Sequence, residues 1–411
     1  MFKGLDDIEW GRLEHAYGAA SDVPALIRDL TAKDEQVVEG AIYELFGTIY
    51  HQGTVYPASV PAVPFLAEAL GSMAPKYQAQ LLGLLRALAE GHGYYDVHRH
   101  RPFAKETMEA SWVDDAEATL SAERAIVRET TLAVFAQWDA IEAYLEAADR
   151  EVRFAALHAL ATLGQNDASD AAAPDEAAAY LGVRPEGHPK GHWAGRLRRR
   201  ADRTLEGLPD PLERAAWLRA LSQIGAGDHP GLQLERASSG SGIERYIVVW
   251  SCAVAALRQA PVLPDHFAPL VADLVDQREG LREVMALEVW PWEDEFEPDL
   301  LRLFCRLPEP ALEEVAAACA RLIGDAGWYP FDLDALLQLI LGQPIPRIPD
   351  EPCSLSPGRR LIASAFLTKP ARPGCWWFWY KLNGTAAAAR DQFNLPHDRR
   401  VWLKWLGLPD R

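Results

Sequence analysis

The sequence predicts an all-α protein: an irregular array of antiparallel helix pairs, closed at its C-terminal end by an aromatic-rich segment. Three observations carry that expectation. Apolar residues, mostly alanine and leucine, recur at three- and four-residue spacing along most of the 411 residues, the period of a helix that buries one face. Strand-like alternation is scarce; RYIVVW at 245–250 is the nearest case, and it runs straight into SCAVAALRQA, where helical spacing takes over. Two segments, LTAKDEQVVEGAIYEL at 30–45 and LEAADREVRFAALHAL at 145–160, align without a gap, as repeated structural units do.

In the aligned segments Asp34 and Asp149 each stand just before a helix, where a carboxylate accepts hydrogen bonds from free backbone N–H groups. Val37, Ala41 and Leu45 in the first, and Val152, Ala156 and Leu160 in the second, fall at i, i+4 and i+8, one stripe to bury against neighbours. DVPALIRDL (22–30) and DAIEAYLEAA (139–148) supply the first helix of each pair. HQGTVY (51–56) reads as a helix C-cap and turn, with Gly53 left-handed, Pro57 barring continuation, and Ser59 or Thr54 capping the next helix. Further helices are expected over 58–70, 76–90, 122–138, 210–225, 243–259, 264–277, 297–307 and 310–324. Short connections between helices of this length suit stacked antiparallel pairs. Insertions interrupt the pattern at 91–113, 164–190, 226–242 and 352–381, and such loops commonly carry specificity. Three segments follow: 1–164 with the inserted loop 91–113, 165–350, and the aromatic-rich 351–411.

Bulk properties exclude several classes. Hydrophobic residues make up 49% and charged residues 24%, a globular composition. No apolar run reaches the roughly 20 residues of a membrane span. MFKGLDDIEWGRLEHAYG is charged from the start and has no signal-peptide apolar region, so a cytoplasmic location is expected. The five cysteines form no CxxC pair, and Cys252 and Cys319 read as small core residues. A formal net charge of −18 opposes general nucleic-acid binding and steers a basic partner toward the surface.

Several clusters could carry function. His51 and Tyr56 are candidate contact residues on the elbow between helices. GHGYYDVHRHR holds His92, Asp96, His98 and His100. Imidazole and carboxylate suit zinc, but no fourth ligand is marked and Arg99 and Arg101 repel a cation, so no metal is expected. Tyr94, Tyr95, His98 and Arg99 instead suit a protein-contact loop, given the enrichment of aromatics and Arg in binding hot spots, or equally a loop packing on its own helix ends. Trp290 and Trp292 stand beside Glu293, Asp294 and Glu295: either an acidic patch with aromatic anchors for a basic partner, or a surface loop whose tryptophans cover the helical array. Arg196, Arg199, Arg200 and Arg203 share one helix face, an anion-binding alternative whose plain reading is a solvated face paired with nearby Asp and Glu. Trp376, Trp377 and Trp379, with Trp402 and Trp405, are expected to cover the last helix pair. GxSxG, GxxxxGK[ST] and HExxH are absent, so neither catalytic residues nor a cofactor is expected.

The aligned helix resembles the second helix of a HEAT or HEAT-like repeat, D-x-x-V-R-x-x-A-x-x-A-L; Arg153 matches its arginine and Val38 departs from it. Trp10, Leu13, His15, Ala16, Tyr17, Gly18, Ala20, Asp22, Val23 and Pro24, with HQGTVY and AVPFL, resemble the opening of a bacterial HEAT-repeat group largely of unknown function. FNLPHDRRVWLKWLGLP resembles that group's endings. HEAT-like modules occur among immunity proteins that neutralise toxins, so the resemblance implies a non-enzymatic protein-binding scaffold, most concretely an immunity protein facing a basic toxin domain. An adaptor for an endogenous partner is the alternative within binding, and a HEAT-like DNA glycosylase the enzyme alternative.

Overall fold

The computed structural model describes residues 1–98, 115–169, 182–226, 228, 243–259, 262–287, 290–292, 296–325, 333–342, 354–367 and 399–408. Over these the fold is all-α, interrupted by two hairpins of two-residue strands. The chain divides into two compact units, Met1–His229 with Leu287–Trp292, and Pro230–Ala286 with Glu293–Arg411.

The first unit opens with the hairpin β1 (Glu14–His15) and β2 (Gly18–Ala19), then α1 (Val23–Asp29) and α2 (Glu35–Thr48). A second hairpin, β3 (Tyr50–His51) and β4 (Thr54–Val55), leads into α3 (Ser59–Leu70) and α4 (Pro75–Glu90). α5 (Tyr94–His98), α6 (Ala116–Phe135), α7 (Trp138–Ala143), α8 (Arg150–Ala168), α9 (His192–Leu205) and α10 (Pro211–Gln223) follow. RYIVVW lies inside a helix, as its apolar continuation requires.

The expected caps form. The Asp34 carboxylate accepts from Gln36 N–H, and Asp149 accepts from Glu151 and Val152 N–H. The two stripes differ, however. Val152, Ala156 and Leu160 are buried, whereas Val37 is 38% exposed and Val38 takes its place in the core beside Ala41 and Leu45. α2 is thus rotated by one position at its start, because Val38 occupies the place of the charged Arg153 and can turn inward.

α8 organises this unit. Of its 19 residues, 14 are buried, so it has no solvent face and packs on α4, α7, α9 and α10. Its five alanines and Gly164 allow that approach; a Cβ at Gly164 would stand 2.8 Å from Ile224 Cγ2. Residue 164, where the sequence placed a segment boundary, lies within this helix.

The second unit contains α11 (Ile243–Gln259), α12 (Ala268–Asp276), α13 (Arg278–Met285), α14 (Phe296–Cys305), α15 (Glu309–Asp325), α16 (Leu333–Leu341), α17 (Pro357–Leu367) and α18 (Arg399–Trp405). Trp250, Phe304 and Trp402 are fully buried. Arg359 joins three helices: its guanidinium donates to the carbonyls of Gln338 (3.0 Å) and Leu339 (2.6 Å) and pairs with Glu309. That pairing holds the Glu309 carboxyl below its ordinary pKa. Cys252 and Cys319 are core residues as expected; burial pushes the Cys252 thiol up to about 12 and the Cys319 thiol well above its usual value. The aromatic run Trp376, Trp377 and Trp379 lies outside the described residues, whereas Trp402 and Trp405 are buried. Among the described residues no helix is long and apolar enough to cross a membrane.

Candidate functional site

HQGTVY is a β-hairpin, not the helix cap expected. α2 ends at Thr48, and Tyr50 and His51 pair with Val55 and Thr54. The turn residues Gln52 (φ 49°) and Gly53 (φ 93°) are both left-handed, as a two-residue turn between twisted strands demands. Gly53 was legible; the positive φ of Gln52, which disfavours any residue with a Cβ, was not. Ser59 does not cap α3. Its hydroxyl donates to Ile49 O (2.6 Å) and accepts from Tyr56 N–H (2.8 Å), tying the hairpin to the start of the helix.

The two hairpins and the segment after α4 form one ledge. Ala16 N–H donates to Thr48 O (3.0 Å) and Ala58 N–H to Glu14 O (3.1 Å), locking the first hairpin between α2 and α3. Val55 N–H donates to His92 O (3.0 Å) and His92 N–H to Gly53 O (2.8 Å). Such closeness needs Gly91, where a Cβ would meet Val55 Cγ1 at 2.2 Å, and Gly93, where it would meet Glu123 Oε2 at 2.3 Å. Glu123, reaching over from α6, accepts from Tyr95 N–H (2.8 Å) and Asp96 N–H (3.1 Å) and so starts α5.

Tyr17, at the tip of the first hairpin, is 71% exposed. Its ring stands edge-on to His51 (centroids 5.3 Å apart) and to His15 (6.4 Å), a preferred aromatic geometry. Tyr94 is 39% exposed and Tyr56 half-buried. Burial raises the Tyr56 hydroxyl pKa, partly offset by its hydrogen bond with Thr54 (2.7 Å).

Hydrogen bonds orient the histidines. Tyr17 N–H donates to His15 Nδ1 (3.0 Å), so the proton of the neutral ring sits on Nε2, 3.0 Å from Asp22 Oδ1. His51 Nδ1 lies 3.1 Å from Gly47 O, so it carries the proton there. Burial lowers the pKa of His92 against the opposing pull of Asp96. Asp96, 3% exposed, pairs with Arg124 (3.3 Å), and among the described residues no group of His, Cys, Asp and Glu could hold a metal. His98 ends α5, but its side chain and Arg99 lie outside the described residues.

The remaining sequence candidates fall elsewhere. Trp290 and Trp292 are 6% and 4% exposed, so of the two expectations they cover the helices and are not exposed anchors. Trp292 Nε1–H donates to Gln223 Oε1 (2.9 Å) and its ring stacks on His158 (4.8 Å), while Trp290 meets Phe154 edge-on (6.4 Å). Apolar area outweighed the neighbouring charges: a buried aromatic carries far more hydrophobic free energy than an exposed one. Glu293, Asp294 and Glu295 lie outside the described residues. On α9, Arg196 pairs with Asp139 (2.7 Å) and Glu142, Arg198 with Asp228 (2.9 Å), and Arg200 with Glu146; Arg199 and Arg203 are exposed. Two of the four arginines on this face, Arg196 and Arg200, are therefore matched by carboxylates, and the other two face solvent.

Tyr17 and Glu123 were not singled out as site residues. An Ala-Tyr-Gly tip signals a tight turn, so Tyr17 was readable; Glu123 joins from 28 positions away and left no local signal. Comparison of the chain with protein-family models, curated proteins and solved structures finds no match.

Proposed function

We propose that the chain is a non-enzymatic scaffold that holds a basic protein partner on the hairpin ledge, most concretely an immunity protein that blocks a bacterial toxin by direct binding. The observation that carries this reading is the exposed Tyr17, stacked on His51 and held on two interlocked hairpins to which the segment bearing Tyr94 is tied through His92. Rigid aromatics lose little entropy on binding and dominate hot spots. Charge favours a basic partner. Residues 1–98 hold thirteen Asp and Glu against six Lys and Arg, a net of −7. Of those six cations, Arg12, Arg28, Lys76 and Arg86 already pair with carboxylates.

The finer architecture we infer is a solenoid of HEAT-like pairs. Its support is the shared Asp cap of α2 and α8 and the behaviour of Arg153, the arginine of the repeat signature. Arg153 donates to the carbonyls of Ala147 (2.7 Å) and Ala148 (2.9 Å) and pairs with Glu213 of α10, linking successive helices. The DNA-repair alternative is weakened because Arg196 and Arg200, two of the four arginines on its face, already pair with carboxylates.

The test is co-expression with a toxin-domain protein whose gene neighbours the one for this chain in its native genome. Rescue of growth, lost in the double variant Tyr17→Ala/Tyr94→Ala, is the expected result. Rescue undiminished in that variant would reject the ledge, and no rescue by the unaltered chain would reject immunity and leave the adaptor role.

A further inference from the structure

An open cleft of about 280 Å³ lies between the turn after α7 and helices α8, α9 and α10, away from the hairpin ledge. Its floor is apolar: Leu145, Phe154, Leu157 and Trp217 line it, and each is less than a tenth exposed. Two Arg–Glu pairs stand at its mouth, and they are held with unequal firmness. Arg153 is committed, since its guanidinium serves the Ala147 and Ala148 carbonyls as well as Glu213. Glu213 is committed too: its N–H bonds the Asp210 cap (2.9 Å), and Arg150 stands 3.7 Å from its carboxylate. The outer pair differs. Arg200 is 31% exposed, but its partner Glu146 is 72% exposed and can exchange the contact for water at little cost.

The site thus presents an apolar floor and one guanidinium whose competitor is easily displaced. The charges lining the cleft balance, Arg153 and Arg200 against Glu146 and Glu213, so a ligand carboxylate that displaces Glu146 restores that balance. Guanidinium groups bind carboxylates in a bidentate manner, and the volume suits a small ligand, just below the roughly 300–1,000 Å³ of common ligand pockets.

We propose that this cleft binds an apolar carboxylate. An aryl or branched alkyl group lies on Phe154, Leu157 and Trp217, and the carboxylate replaces Glu146 on Arg200. The same chemical group occurs in a free aromatic acid and in the C-terminal residue of a peptide.

Calorimetric titration of the full chain tests this with N-acetylphenylalanine, its amide, and an alanine tripeptide ending in phenylalanine as free acid or amide. The free acids are expected to bind about tenfold or more tightly than the amides, with Arg200→Met abolishing that preference. Glu146→Gln, a change at an exposed side chain that leaves the fold intact, is expected to tighten acid binding about two- to fivefold by removing the competitor. A peptide acid that binds better than N-acetylphenylalanine identifies a C-terminus as the ligand; the reverse order identifies a free acid. No saturable binding at millimolar concentration, equal affinity for acid and amide, or weaker acid binding by Glu146→Gln would overturn the proposal.

Discussion

Trp292 offers the sharpest test of how the first unit is held together, because the sequence left it open between an exposed anchor and a cover over the helices. Its side chain is 4% exposed, its indole N–H donates to Gln223 Oε1 (2.9 Å), and its ring stacks on His158. Gln223 in turn donates to Thr162 Oγ1 (3.1 Å), which donates to Glu90 (3.0 Å). The indole therefore ends a chain of hydrogen bonds that crosses α10, α8 and α4. Trp292→Ala removes the ring and leaves a cavity, at a cost of about 3–5 kcal/mol. Trp292→Phe keeps much of the ring and loses the donor, at about 1–2 kcal/mol. Combining Trp292→Phe with Gln223→Leu should return a coupling of about 1 kcal/mol. Hydrogen exchange localises the effect: amides of α8 and α10 should lose protection by roughly 150-fold or more in Trp292→Ala, at about 1.4 kcal/mol per decade. A solvent-facing tryptophan would change stability by less than about 0.5 kcal/mol. Unchanged protection in α8 and α10 would refute the buried assignment and restore Trp292 as a contact residue.

Gly91→Ala should destabilise the first unit by about 1–3 kcal/mol in urea unfolding, since its Cβ would stand 2.2 Å from Val55 Cγ1, and Val55→Ala in the same chain should recover most of the loss. His92 binds its proton less readily folded than unfolded, because burial lowers its pKa from 6.5. The unfolded chain therefore takes up protons first, so stability is full above about pH 6.5 and falls as pH drops through the folded value. His92→Gln should flatten that slope in thermal melts between about pH 7.5 and pH 5.5. Cys252, with its thiol pushed to about 12, and the buried Cys319 should escape alkylation in the native chain and react only after denaturation, as read by mass spectrometry.

What the sequence revealed followed the range of the forces involved. Helix existence was legible because a three- to four-residue apolar period is a local signal, and the caps at Asp34 and Asp149 are local chemistry. The hairpins were not. Two-residue strands are too short to alternate, and the backbone contact that anchors the second hairpin, His92 with Val55, comes from a distant position. His51 and Tyr56 were read on one segment and Tyr94 on another, which the structure ties together through His92, and Tyr17 joins His51 through a stack 34 residues away in sequence. Trp290 and Trp292 could be read either way because charge density beside them suggested exposure, whereas their partners, a buried amide and an imidazole, lie on α10 and α8.

The central claim is that the hairpin ledge binds the partner. Its most direct measurement is the affinity of the purified partner for the unaltered chain and for Tyr17→Ala, with thermal unfolding recorded on both. Tyr17 is 71% exposed, so unfolding should move by no more than about 0.5 kcal/mol. Dissociation constants should rise about thirtyfold, the loss of a hot-spot side chain worth about 2 kcal/mol. Equal affinities for the two chains would contradict the account.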